Sequence, residues 1–227
     1  MSTRSSDDAS PYAHTRLYDL VCASPLIVFY AFAAGGNALL MARQWPDAQD
    51  WPAQLTIANE AVALIFLGLQ IVLCLIRRLP LGKSDGPWPR LTAILGANFN
   101  TVLLALPRVA LSPGWAIASA TLTICGTAAA LLTLLYLGRG FSVLPEARCF
   151  VARGPYRIVR HPLYAAEIVS TFGIMLQFRQ PWAALVAIAT IAFQLRRMGF
   201  EEDVLRKAFP GYDGYAKRTA RLIPGIY

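Results

Sequence analysis

At 227 residues, 56% hydrophobic and only 15% charged, the chain falls well below the roughly 25% charged residues of a soluble domain. That excludes an ordinary water-soluble enzyme and points into the bilayer. The net charge of +8 raises nucleic acid as a partner, but no recognition motif accompanies the charge, and nucleic-acid binding is not expected.

In chain order, residues 1–15 are polar, include Asp7 and Asp8, and read as a disordered tail rather than a cleavable signal peptide. Four apolar runs follow, at 20–42, 55–76, 91–106 and 115–137. They approach the roughly 20 residues needed to cross the hydrocarbon core. Two shorter runs, 162–178 and 181–195, are split by Arg179-Gln180-Pro181 and read as a helical hairpin, either two full spans or re-entrant. The fold class is therefore all-α: a polytopic integral membrane protein with about six transmembrane helices and an amphipathic C-terminal tail. Residues 16–137 form a scaffold of four spans, and 138–227 a second, functional part.

With six spans, the 21 basic residues fall on one side of the membrane except Arg43, Arg108 and Arg179. The positive-inside rule then puts both termini in the cytoplasm, at the inner membrane if the source is bacterial. Membrane lipids, especially anionic ones, are expected against this face. Cys22, Cys74, Cys125 and Cys149 are scattered and form no CxxC, so no metal site and no disulfide framework are expected. Gly138-Arg139-Gly140 lacks the strand and third glycine of a dinucleotide fingerprint.

Chemistry concentrates in GPYRIVRHPLYAAE, residues 154–167. Proline is favoured at the first helical position, so a helix is expected to start at Pro162 with His161 at its cap. Its free N–H groups and positive dipole end form a ready anion site, and Arg157 and Arg160 can add forked hydrogen bonds. Tyr164, Glu167, Ser170 and Thr171 share a face of that helix. In the tail, Glu201 and Glu202 are expected to open a short amphipathic helix with Val204, Leu205 and Phe209 on its apolar side, ended by Phe209-Pro210-Gly211. Two adjacent glutamates on a basic surface suit pairing with the Arg157/Arg160 cluster, or binding of ribose hydroxyls or an ammonium.

These two stretches, GPYRIVRHPLYAAE and EEDVLRKAFPGYDGYAKRTARLIP, together resemble the isoprenylcysteine carboxyl methyltransferase family, which shares its C-terminal pattern with phospholipid methyltransferases. The resemblance covers residues 138–227. It departs from the pattern at Ala166, where the family often has glycine.

The resemblance implies S-adenosylmethionine bound at the cytoplasmic side by His161, Tyr164, Glu201, Leu205 and Tyr215. Arg157, Arg160 and Glu202 would act on the reacting groups. It implies carboxyl methylation of a prenylcysteine-like, lipophilic small-molecule or lipidated substrate. A carboxylate is already ionised at neutral pH and needs no general base, whereas the alternative, a phosphatidylethanolamine amine, needs a base such as Glu202. A non-enzymatic transporter or assembly protein that kept the fold is the alternative of another class.

Overall fold

The structure, a computed structural model, describes residues 16–225 apart from residue 48; the tail expected to be disordered lies outside the described residues. Helices α1 (Arg16–Gln44), α2 (Trp51–Ile76), α3 (Pro87–Asn98), α4 (Pro113–Leu137), α5 (Pro162–Met175), α6 (Trp182–Ala208) and α7 (Tyr212–Ala216) follow in order. Two-residue strands β1 (Gly82–Lys83) and β2 (Glu146–Ala147) pair antiparallel. The fold is all-α and polytopic, as expected.

The sequence marks the helix starts. Asp50 caps α2 by accepting from the Ala53 N–H at 3.0 Å, and proline occupies the first turn of α2, α3, α4 and α5, where its missing N–H is harmless. His161 is the N-cap of α5.

Four helices, α1, α2, α4 (continued to Gly140) and α6, are long and apolar enough to cross a membrane. The expected span at 91–106 is an α-helix only to Asn98 and continues as a 3-10 helix over Phe99–Ala105. Asn98 Nδ2 donates to the Ile94 carbonyl at 2.9 Å and the Thr101 hydroxyl to the Asn98 carbonyl at 2.7 Å. Such local side-chain bonds compete with the regular helical ladder. α5, at 14 residues, rises about 21 Å, against about 30 Å of hydrocarbon.

The separate tail helix expected from Glu201 onward is not present. α6 runs unbroken through Arg196, Arg197, Glu201 and Glu202 to Ala208. No proline interrupts it, and Arg197 Nε bonds Glu201 Oε1 at 3.0 Å one turn on, the spacing that supports a helix. At 27 residues the helix is about 40 Å long, so its last turns project past the apolar bundle and carry the tail.

Close packing fixes where the basic end of the bundle sits. A Cβ on Gly126 of α4 would lie 2.5 Å from the Ser170 nitrogen of α5, and one on Gly173 of α5 would lie 2.4 Å from Thr123 Oγ1 of α4. Small residues thus let the two backbones touch, the usual way membrane helices associate. The Ser119 hydroxyl adds a bond to the Gly173 carbonyl at 2.7 Å. Ala166 also faces α4 in this seam, within the core that includes Leu134 and Leu163.

At the basic end, buried Asp19 of α1 binds Arg77 at 2.8 Å and Arg148 at 2.7 Å, and Arg148 also binds Glu146 at 2.6 Å. This clamp ties α1, the end of α2 and the β2 loop together. At the other end, about 30 Å away along α4, Glu60 accepts from Gln44 Nε2 at 3.2 Å and lines a separate cavity.

Candidate active site

A cavity of about 710 Å³, counting its open mouth, lies at the basic end. Its walls come from the end of α4, the 140–151 loop, the start of α5, the last turns of α6, and α7. Arg160, His161, Tyr164, Glu201, Leu205 and Tyr215, six of the eight residues expected from the sequence, line it together. The other two do not. Arg157 is exposed to solvent outside the cavity. Glu202 is 1% exposed and sits behind the wall.

The two glutamates occupy different surroundings because neighbours on a helix point about 100° apart. Glu201 faces the cavity. Its Oε1 accepts from the Tyr164 hydroxyl at 2.5 Å and from Arg197 Nε at 3.0 Å. The Arg197 guanidinium lies over the Tyr164 ring at 4.9 Å, so the cation, the ring and the carboxylate brace one another.

Glu202 instead gathers four partners. Its Oε1 lies 3.1 Å from His161 Nε2, 3.3 Å from Arg160 Nη1 and 2.9 Å from Arg221 Nε; its Oε2 accepts from Arg206 at 3.1 Å. Glu202 therefore fixes the orientation of the cavity residues Arg160 and His161 while having no free lone pair to offer a substrate. The tail is held here by backbone too: the Arg160 N–H donates to the Ala220 carbonyl at 2.8 Å and the His161 N–H to the Arg221 carbonyl at 3.1 Å.

An aromatic floor completes the cavity. Phe150 meets Tyr212 and Tyr215 edge-on, with centroids 5.8 and 5.2 Å apart, a favoured arrangement. The Tyr215 hydroxyl donates to the Tyr156 carbonyl at 2.6 Å. Burial pushes the Tyr215 phenol up to about 12, which removes it as an acid or base at neutral pH. Burial likewise raises the Cys149 thiol, the opposite of an activated nucleophile.

Sequence reasoning passed over Arg197, Phe150, Tyr156 and Gly140. Arg197 carried one signal, its i,i+4 spacing to Glu201. Gly140 is needed because a Cβ there would fall 2.2 Å from Cys149 Sγ. Ala166, the departure from the family pattern, does not line the cavity.

Among the described side chains lining the cavity, one buried donor is unmet. Arg160 Nε is buried and has no partner, although Nη1 of the same guanidinium is held by Glu202. A guanidinium donor left this way is costly, and an anionic group would satisfy it. Glu201 offers an acceptor in the same cavity, and the aromatic floor suits a flat ring. A zwitterion carrying an aromatic base fits this donor set.

Over 112 residues the chain is 32% identical to the nickel-cobalt-cadmium resistance protein NccN of Alcaligenes xylosoxydans xylosoxydans, covering 43% of this chain and 52% of that protein. Over 110 residues it is 30% identical to the cobalt-zinc-cadmium resistance protein CzcN of Cupriavidus metallidurans, covering 42% and 50%. The chain thus spans about half the length of the curated relatives it matches. The family model for phospholipid methyltransferases matches residues 114–211, from α4 through the hairpin to the end of α6, which supplies most of the cavity wall. Residues 114–211, under half of the chain, thus match a phospholipid methyltransferase domain, of a family related to the isoprenylcysteine carboxyl methyltransferases.

Proposed function

We propose that the chain is an integral membrane methyltransferase that binds S-adenosylmethionine in the basic-end cavity and methylates a lipophilic acceptor. The observation that carries the reading is an unmet Arg160 donor and the Glu201 acceptor lining one aromatic-floored cavity, in a region that matches the phospholipid methyltransferase model. Arg160 and His161 would hold the cofactor's carboxylate end, Glu201 its ammonium or ribose hydroxyls, and Phe150, Tyr212 and Tyr215 its base. When bound, S-adenosylmethionine supplies an activated methyl group on a cationic sulfur.

The protein's own contribution is alignment and exclusion of water. Glu202 is not free to act as a base, since it already accepts from Arg160, Arg206 and Arg221, and in this reading Glu201 is engaged by the cofactor. That favours an acceptor ionised at neutral pH, a carboxylate of the prenylcysteine type, over an amine that must lose a proton. A phospholipid amine is the second reading, favoured by the name of the family that matches. In this reading both termini face the cytoplasm, where the cofactor is made.

The names of the two relatives would add metal resistance as the biological setting. Among the described residues no group of three or more His, Cys, Asp or Glu side chains gathers to hold an ion. In this reading the chain serves such resistance through a methylated product.

The test is transfer of label from S-adenosylmethionine to a total membrane lipid extract by the purified full chain. A base-labile methyl ester is the expected product. A base-stable methylamine headgroup would replace the carboxylate with the amine reading. No cofactor binding at millimolar concentration and no transfer would overturn the reading altogether.

A further inference from the structure

A second cavity adjoins the first, and its chemistry is different. It encloses about 1110 Å³, counting its open side, between the end of α4 and the 149–153 segment. Arg78, Arg139 and Arg153 line it, with no acidic residue among its lining. All three are exposed, and among the described residues none has a carboxylate partner. This sets them apart from the ion-paired arginines at the same end. Asp19 and Glu146 are taken by Arg77 and Arg148, and Glu201 and Glu202 by Arg197, Arg160, Arg206 and Arg221. Arg78 and Arg153 both act electrostatically on the Cys149 thiol, and Cys149 and Arg139 line the same cavity with them.

The cavity is built rather than incidental. Gly138 adopts φ +52, a left-handed conformation that favours glycine, and so turns Arg139 off the end of α4. The Arg139 carbonyl accepts from the Arg78 N–H at 2.8 Å, and Arg139 Nε donates to the Ile76 carbonyl at 2.9 Å. Gly154 presses so closely on the Tyr136 ring that a Cβ would lie 2.4 Å from it, which pins the Arg153 loop against α4. Beside the three cations, Leu135 is 64% and Tyr136 38% exposed, at the last turn of a helix apolar enough to span. Cations lining one cavity beside an apolar, outward-facing helix end suit a phosphate at headgroup depth with lipid tails along α4.

We propose that Arg78, Arg139 and Arg153 form a binding site for the headgroup phosphate of one anionic phospholipid, separate from the cofactor cavity but sharing the 149–151 wall with it. The site does not depend on the proposed reaction. Its test is native mass spectrometry of the full chain released from nanodiscs of equimolar phosphatidylglycerol and phosphatidylcholine. Retention of one phosphatidylglycerol in preference to phosphatidylcholine is expected. The triple substitution R78Q/R139Q/R153Q is expected to lower that occupancy about tenfold or more, given about fivefold for each basic residue near a charged surface. K207Q/K217Q/R218Q, which removes the same charge from exposed positions at the same end, is expected to leave it unchanged. Added inorganic phosphate should not displace the lipid, because it lacks the tails. Equal retention of both lipids by the wild type, equal loss in the two triple variants, or displacement by free phosphate would each overturn the proposal. Circular dichroism of the R78Q/R139Q/R153Q protein shows whether it has folded, and single substitutions replace it if it has not.

Discussion

The front and back of the basic-end wall are made by adjacent residues of one helix, yet they have different jobs. On the front, Glu201 keeps 22% of its side chain exposed and shares Arg197 with Tyr164. On the back, Glu202 is buried and surrounded by His161, Arg160, Arg206 and Arg221. The front can exchange a protein partner for a ligand. The back cannot, because withdrawing its carboxylate leaves several cations without an anion. The difference shows that in a basic chain the number of arginines says little; which carboxylate each one meets decides whether it clamps the fold or faces a ligand.

The comparison breaks most visibly at Glu202. Removing one partner of a buried ion cluster costs about 3 kcal/mol or more, so Glu202→Ala should lower thermal stability sharply and release the tail from α5. Limited proteolysis after Ala216 reads that release. A melting profile like that of the wild type would show that the cluster is not structural.

A smaller effect is expected at the aromatic floor. Tyr215→Phe removes the 2.6 Å bond to the Tyr156 carbonyl, worth about 1 kcal/mol, and should weaken stability and ligand binding modestly together. Between the two cavities, Cys149 reports burial directly. Its raised pKa means less thiolate than a free cysteine at the same pH. Alkylation of Cys149, followed by peptide mass spectrometry, should be slow at pH 8 and keep rising beyond the range where a free thiol levels off near ~8.5. The smallest effect is expected at Arg157. It is exposed and outside the cavity, so Arg157→Gln should stay within about 0.5 kcal/mol of the wild type and leave cofactor affinity unchanged.

Much of this was legible in the sequence, for local reasons. Asp50-Trp51-Pro52, Ser112-Pro113 and His161-Pro162 announce helix starts, because capping and a missing N–H act within one turn. The Arg-His-Pro-x-Tyr and Glu-Glu stretches brought together six residues that share one cavity. What stayed hidden depends on partners distant in the chain. Arg77 and Arg148 read as topology charges, but both close on Asp19, which is 129 residues from Arg148. Arg197 read as one more interfacial cation until α6 proved continuous and carried it against Tyr164. Glu202 looked equivalent to Glu201, since a sequence does not show which of two neighbours on a helix faces inward.

The central claim is that the front of this wall, Glu201 with Arg197 and Tyr164, holds S-adenosylmethionine. Calorimetric titration of S-adenosylmethionine into the purified full chain and its Glu201→Gln variant tests it most directly. Saturable binding at a single site is expected in the wild type, weakened about tenfold or more by losing the charged acceptor, with some loss of melting temperature because buried Arg197 loses its carboxylate partner. Equal affinity in the two proteins, or no binding to either at millimolar cofactor, would contradict it.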